Sequence, residues 1–149
     1  MNSDEKWMAH AIKQAIKANN KGEVPVGAVL VKDGHLIAQA HNEPISTNDA
    51  TAHAEIQLLR AAGKYQKNYR LIDTTIYVTL EPCAMCLGAM MHARIARIVF
   101  GAFDPKTGVC GSRADLATES FFNHEMEISG GVLEKECKEL LQSFFKSRR

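Results

Sequence analysis

The stretch Thr75-Ile76-Tyr77-Val78-Thr79-Leu80-Glu81-Pro82-Cys83-Ala84-Met85-Cys86 changes character midway. Residues 75–79 are all β-branched or aromatic, which reads as a buried strand. Pro82 is unsuited to a central strand but fits the first turn of a helix, so a helix is expected from Glu81-Pro82-Cys83 through Met90 or Met91. On the C-terminal side, Ile95-Ala96-Arg97-Ile98-Val99-Phe100 is the next strand. A glycine-punctuated surface loop follows over residues 101–111, then a short fifth strand at Met126-Glu127-Ile128. Val132, Cys137, Leu140, Leu141, Phe144 and Phe145 give a last helix its apolar face.

On the N-terminal side, residues 4–20 place Trp7, Ala11 and Ala15 beside Met8, Ile12 and Ile16 with the period of a helix. After Asn19-Asn20-Lys21-Gly22 the stretch 24–31 reads as a buried strand beginning just past Pro25. Lys32-Asp33-Gly34 is a tight-turn signal that returns the chain as an antiparallel hairpin over residues 35–41. Residues 42–49 read as a polar loop, and a helix capped by Thr51 runs from Ala52 to near Gly63. Helices alternating with strands through short connections give a three-layer α/β/α fold around a five-stranded mixed sheet.

The chain has 149 residues, 46% apolar and 23% charged, so one domain over residues 1–149 is expected. That composition excludes a collagen-like, strongly disordered or supercharged chain. Eighteen Lys and Arg against seventeen Asp and Glu leave a net charge of +1, so any nucleic-acid site must be local. Local clusters exist: Arg60, Lys64, Lys67 and Arg70 stand together without an acid, and Arg94, Arg97, Lys106 and Arg113 face only Asp104 across residues 94–113. No run approaches the length of a membrane span. The first residues carry no apolar signal segment, so a cytoplasmic, reduced protein is expected, its cysteines Cys83, Cys86, Cys110 and Cys137 free of disulfides.

His53-x-Glu55, followed further along by Pro82-Cys83-x-x-Cys86, is the signature of zinc-dependent nucleobase deaminases. A Cys-x-x-Cys at the first turn of a helix directs two thiolates to one point, and one imidazole completes three ligands. Three ligands leave a fourth position for water, whose pKa falls from about 16 toward about 7 when bound. Glu55, close to that position without being a ligand, is suited to carry protons between water, ring nitrogen and departing amine. Singly, these residues have other readings: a redox pair or structural half-site for the cysteines, a core histidine, a solvated glutamate. Cys110 or Cys137 as a fourth ligand would close the site. Cys137 lies on an apolar stripe, as a buried thiol does, and Glu81 reads as a solvated side chain or a group behind the ligands.

Thr51-Ala52-His53-Ala54-Glu55, Asn68-Tyr69-Arg70-Leu71-Ile72 and Thr79-Leu80-Glu81-Pro82-Cys83-Ala84-Met85-Cys86 together resemble the bacterial tRNA-specific adenosine deaminases. The likeness starts at Gly22-Glu23-Val24-Pro25-Val26-Gly27-Ala28, includes Val99-Phe100-Gly101-Ala102-Phe103-Asp104-Pro105-Lys106-Thr107-Gly108 and reaches Phe144-Phe145-Lys146. It implies a cytidine deaminase-like fold and a homodimer with zinc in each site. The implied reaction turns adenosine into inosine at the wobble position of an arginine tRNA anticodon. By the same resemblance Asn42 holds the flipped base, Val26 is an apolar wall and Glu23 stands at the pocket mouth. Asp104 and Lys106 face ribose and phosphate, Phe145 stacks near the loop, and Arg148 and Arg149 touch RNA backbone. Phe103 departs from the family, where this position is commonly polar, and an aromatic there either stacks on a base or packs away.

Three other readings stay open on the residues alone. A small-molecule deaminase of guanine, cytosine or cytidine would use the same zinc and glutamate without basic clusters. A catalytically silent RNA-binding partner should lack Glu55 or a ligand, and this sequence has all four. A redox protein would be told apart by its metal content.

Overall fold

The structure is a computed structural model that describes residues 1–148. Helix α1 (Ser3–Asn20) opens with a capping box at Asn2 and Glu5: the Asn2 side chain accepts from Glu5 N, and the Glu5 carboxylate accepts from Asn2 N. Its buried stripe is Met8, Ala11, Gln14, Ala15 and Ala18. Ile16, expected on that stripe, is exposed, because at about 100° per residue it falls on the far side of the helix from the centre of the buried set. Gly27 lets α1 lie close against the sheet, since a Cβ there would overlap Ala11 O and Ala15 N.

Strands β1 (Gly27–Lys32) and β2 (His35–His41) form the expected antiparallel hairpin, although β1 starts three residues later than its apolar run. A single helical turn, α2 (Pro44–Thr47), occupies the segment read as a polar loop, with Pro44 in its first turn. Helix α3 (Ala54–Gln66) passes Gly63 and ends instead on Lys67, whose positive φ of 54° closes the helix. Thr51 does not cap it: its backbone N and hydroxyl both donate to Asp49 Oδ1. Strand β3 (Thr75–Leu80), α4 (Ala84–His92) and β4 (Arg97–Ala102) follow, then a 3₁₀ turn at Leu116–Thr118, β5 (Glu127–Ser129) and α5 (Glu134–Ser147).

The sheet order is β2-β1-β3-β4-β5. β1 is antiparallel to β2 and β3, while β3, β4 and β5 run parallel, which makes the sheet mixed. Period-two alternation divides its side chains. Ala28, Leu30, Ile76, Val78, Ile98 and Phe100 pack against α3 and α4, and Val29, Val31, Tyr77 and Val99 against α1 and α5. This is the expected three-layer α/β/α architecture, built on a cytidine deaminase-like plan. The sheet runs out on one side at the carboxyl ends of β3 and β4 and, because β1 is antiparallel, beside Val26 at the start of β1. Such an end is where open α/β sheets bind ligands.

Candidate metal centre and active site

Two helix N-termini meet at this sheet end. His53 is the N-cap of α3 and Cys83 the N-cap of α4, and neither side chain caps its own helix. They face each other instead: His53 Nδ1 lies 3.6 Å from Cys83 Sγ and 3.5 Å from Cys86 Sγ. The three donor atoms lie within 4.8 Å of one another. Serine, threonine or aspartate is the stabilising choice at an N-cap, so two poor caps side by side mark positions chosen for chemistry. The open N–H of Ala54 is satisfied from a distance by Asn42, whose Oδ1 accepts it at 2.8 Å.

Electrostatics favours a thiolate here. The Cys83 thiol is drawn down to about 4, chiefly by the hydrogen bond from Cys86 and, against burial, by that from His53. Cys86, facing that thiolate in a buried position, holds its proton more tightly than a free thiol. The His53 imidazole is raised by the adjacent Cys83. One imidazole nitrogen and two sulfurs at converging helix N-termini are the donor set of a zinc site, whose assembly releases protons. These residues therefore fit zinc, and His53 Nδ1, Cys83 Sγ and Cys86 Sγ are the atoms that hold it. Cys110 and Cys137 do not join them among the described residues. Cys137 is buried on the opposite face of the sheet, as its stripe predicted, and burial pushes both thiols up to about 12.

Glu55, the second residue of α3, is only 4% exposed and lines the same cavity as His53 and Cys83. Burial pushes its carboxyl up to about 7. The cavity measures about 880 Å³, within the range of small-molecule sites. Val26, Asn42, Asp104, Lys106 and Phe145 all line it, as does Phe103. Phe103 packs edge-to-face on Phe100 at 5.0 Å and leaves 45% of its surface exposed. Asp104 is largely committed to its own loop, accepting from Lys106 N, Thr107 N and Thr107 Oγ1.

Glu23 is placed differently from the expectation. It is 1% exposed, lies outside the cavity lining, and accepts from Ile45 N at 3.1 Å and Ser46 N at 2.7 Å. Burial raises its carboxyl, but the donors from Ser46 and Ile45 outweigh this and hold it below the usual range. It therefore anchors α2, whose Pro44 is part of the cavity wall, rather than standing at the mouth. Glu81 is likewise no solvated side chain; it is 2% exposed and accepts from four donors. Arg149 lies outside the described residues.

Sequence reasoning missed Lys138 and Gln142, which line the cavity from α5 beside Lys146, the last residue of the stretch that resembles the family. The signal was there in the spacing of Lys138, Gln142, Phe145 and Lys146, which share one helical face beside the apolar stripe.

Residues 1–102 match the sequence profile of the cytidine and deoxycytidylate deaminase zinc-binding region. The chain is 51% identical over 147 residues to the tRNA-specific adenosine deaminase of Haemophilus influenzae, covering 98% of this chain and 85% of that protein. It is 49% identical over 149 residues to the tRNA-specific adenosine deaminase of Bacillus subtilis, covering 100% and 92%. Among solved structures, one from biochemical and structural studies of A-to-I editing by tRNA:A34 deaminases at the wobble position of transfer RNA superimposes with a TM-score of 0.89. It is 41% identical and covers 91% of this chain and 99% of its own. A guanine deaminase from Bacillus subtilis, also 41% identical, reaches 0.65 over 69% of this chain and 66% of that one. Triad, fold and relatives agree: the chain belongs to the bacterial tRNA-specific adenosine deaminases, a branch of the zinc-dependent cytidine deaminase-like superfamily.

Proposed function

We propose that this protein hydrolytically deaminates adenosine to inosine at the wobble position of a tRNA anticodon, arginine tRNA first, as a cytoplasmic homodimer. The observation that carries the reading is the buried Glu55 beside the His53, Cys83 and Cys86 triad in a cavity large enough to admit a nucleoside and its neighbours. Zinc bound by the triad supplies the Lewis acidity that makes a water molecule nucleophilic near neutral pH. Glu55 takes the proton of the attacking water and delivers it to N1 of adenine as the C6–O bond forms. It then takes the second proton from the new C6 hydroxyl and gives it to the departing amine as the C6–N bond breaks, so ammonia leaves and inosine, with its N1 proton and C6 carbonyl, remains. A carboxyl pushed up to about 7 is poised to give and take a proton at neutral pH.

Asn42 has committed Oδ1 to Ala54 N, which leaves its Nδ2 donors for the base, and Val26 supplies an apolar wall. Lys106 and, from α5, Lys138, Lys146 and Phe145 present cations and an aromatic ring to neighbouring nucleotides. An anticodon loop offers an unpaired adenosine that leaves its stack at low cost. The homodimer reading is supported by α4, where Ala84, Met85, Gly88 and Ala89 share one side. Met85 is 38% exposed, and a Cβ on Gly88 would meet nothing within 4 Å. Four free cysteines accord with a reducing compartment, and among the described residues no helix is long and apolar enough to cross a membrane.

The test incubates the zinc-loaded protein separately with adenosine-containing anticodon stem-loops, cytidine and guanine, and scores inosine, uridine and xanthine. Inosine from the arginine stem-loop ahead of other stem-loops is the expected result. Rapid turnover of cytidine or guanine without inosine would replace this reading with a small-molecule deaminase. Sedimentation of the same sample reads the dimer.

A further inference from the structure

Glu81 lies between β3 and the zinc ligand Cys83 and lines the same cavity, yet its carboxylate oxygens are taken up by a neighbouring loop. Oε1 accepts from Asp104 N at 2.9 Å and from the Ser112 hydroxyl. Oε2 accepts from Cys110 N at 2.9 Å and Ser112 N at 3.1 Å. No cation pairs with it among the described residues, so a buried carboxylate is held entirely by neutral donors, three of them backbone amides of one loop. The loop closes around the carboxylate at Gly108, where an added Cβ would overlap Glu81. Val109 N donates to Pro82 O at 3.1 Å, which ties the same loop to the residue between Glu81 and Cys83. The loop carries Phe103, Asp104 and Lys106, all of which line the catalytic cavity.

We propose that Glu81 is a positioning residue for the substrate: its buried carboxylate sets the shape of loop 103–112 and so the register in which an RNA strand is held over the active site. This rests on the reading of the protein as a tRNA deaminase. A carboxylate is needed because both oxygens must accept at once, and no neutral side chain of the same shape offers that. The loop's other anchors lie elsewhere along it: Val109 is buried in the core with its N donating to Pro82 O, residues 108–116 close turns among themselves, and Asp104 holds a local turn. Glu81 is what joins residues 104, 110 and 112 to the end of β3. Burying a charge to shape a loop is costly, and it is worthwhile where loop position governs binding.

Glu81→Gln separates the two ends of the clamp. Its NH2 group settles opposite the Ser112 hydroxyl, which can turn to accept, and leaves only Asp104 N without an acceptor. The opposite orientation would strand both Cys110 N and Ser112 N. Amide hydrogen exchange on the zinc-loaded variant should therefore show lost protection at Asp104 and retained protection at Cys110 and Ser112, with zinc content unchanged. On an anticodon stem-loop, KM should rise about tenfold while kcat changes less than about threefold, the pattern of lost binding rather than lost chemistry. Gly108→Ala, which pushes the loop off the carboxylate without altering charge, should give the same split and stands in if the glutamine variant does not fold. Unchanged Asp104 protection, or a fall in kcat with KM intact, overturns the proposal. If the unaltered protein makes no inosine from any stem-loop, the functional reading fails instead, whatever the exchange data show about the clamp.

Discussion

Glu55 and Glu81 are buried carboxylates in the wall of one cavity, and what faces each decides its work. Glu55 faces thiols and an imidazole, so desolvation dominates and its carboxyl rises to about 7. Replacing it by Ala should leave zinc bound and cut deamination by about 10²–10⁴-fold, since it moves protons without being a ligand; metal analysis showing zinc lost would contradict that role. Asp4 shows the opposite balance. Arg97 donates to both its oxygens at 2.9 and 2.8 Å and Tyr77 Oη donates at 2.8 Å, so hydrogen bonding to Arg97 first, against burial, holds the carboxyl below its ordinary value. A depressed folded pKa adds stability above the unfolded value, and that stability is lost as pH falls through the folded one. Asp4→Asn should therefore cost about 1–2 kcal/mol at pH 7, and denaturant melts of the two proteins should converge as pH drops below about 4. A difference that persists undiminished in acid would show that the charge is not what matters. Neither carboxylate's environment could be read from one sequence, because the partners are remote: those of Glu81 lie 23, 29 and 31 residues away and those of Asp4 73 and 93.

The strands were legible at the level of elements because their evidence is local. Local apolar runs and a tight-turn signal marked all five strands of the sheet, with ends off by at most two residues and both ends of β2 in agreement. Helix ends were less legible where tertiary partners override local signals. α3 starts two residues past Ala52 because Asn42, eleven residues before His53, supplies the missing cap, and it ends past Gly63 because Lys67 takes the left-handed turn. The zinc ligands were legible because their spacing is itself local, and the two helix N-termini on which they sit add the field that favours thiolate. Asn42 caps α3 and, in the proposed reading, also holds the base, and substitution can separate the two. Asn42→Ala should lower stability by about 1 kcal/mol through loss of the cap as well as weakening substrate binding. Asn42→Asp keeps a capping oxygen and loses the Nδ2 donors, so its melting temperature should stay near that of the unaltered protein while stem-loop KM rises. Equal melting temperatures for all three proteins would remove the capping role.

For the molecule as a whole, a net charge of +1 at first speaks against nucleic acid, yet folding redistributes it. Glu23, Glu55 and Glu81 are buried, and Asp104 spends its carboxylate inside its loop. The cavity rim is left to the exposed Lys106, Lys138 and Lys146, on a loop and a helix that are distant in sequence. Charge counting along the chain located Lys106, and the resemblance reached Lys146, but Lys138 was missed, because only the packing of α5 against β4 brings that face to the mouth. A small positive rim on a nearly neutral protein should bind one loop without collecting RNA at large, and its contribution can be counted from ionic strength. Each contact to a single-stranded phosphate adds about 0.7 to the magnitude of the slope of log K against log salt. Lys138→Ala combined with Lys146→Ala should therefore weaken stem-loop binding and make that slope shallower by about 1.4 if both meet phosphate. Fluorescence anisotropy of a labelled stem-loop over a salt series measures it directly. An unchanged slope in the double variant would mean that α5 reads the RNA through Phe145 and Gln142 alone, and that the phosphates are held elsewhere.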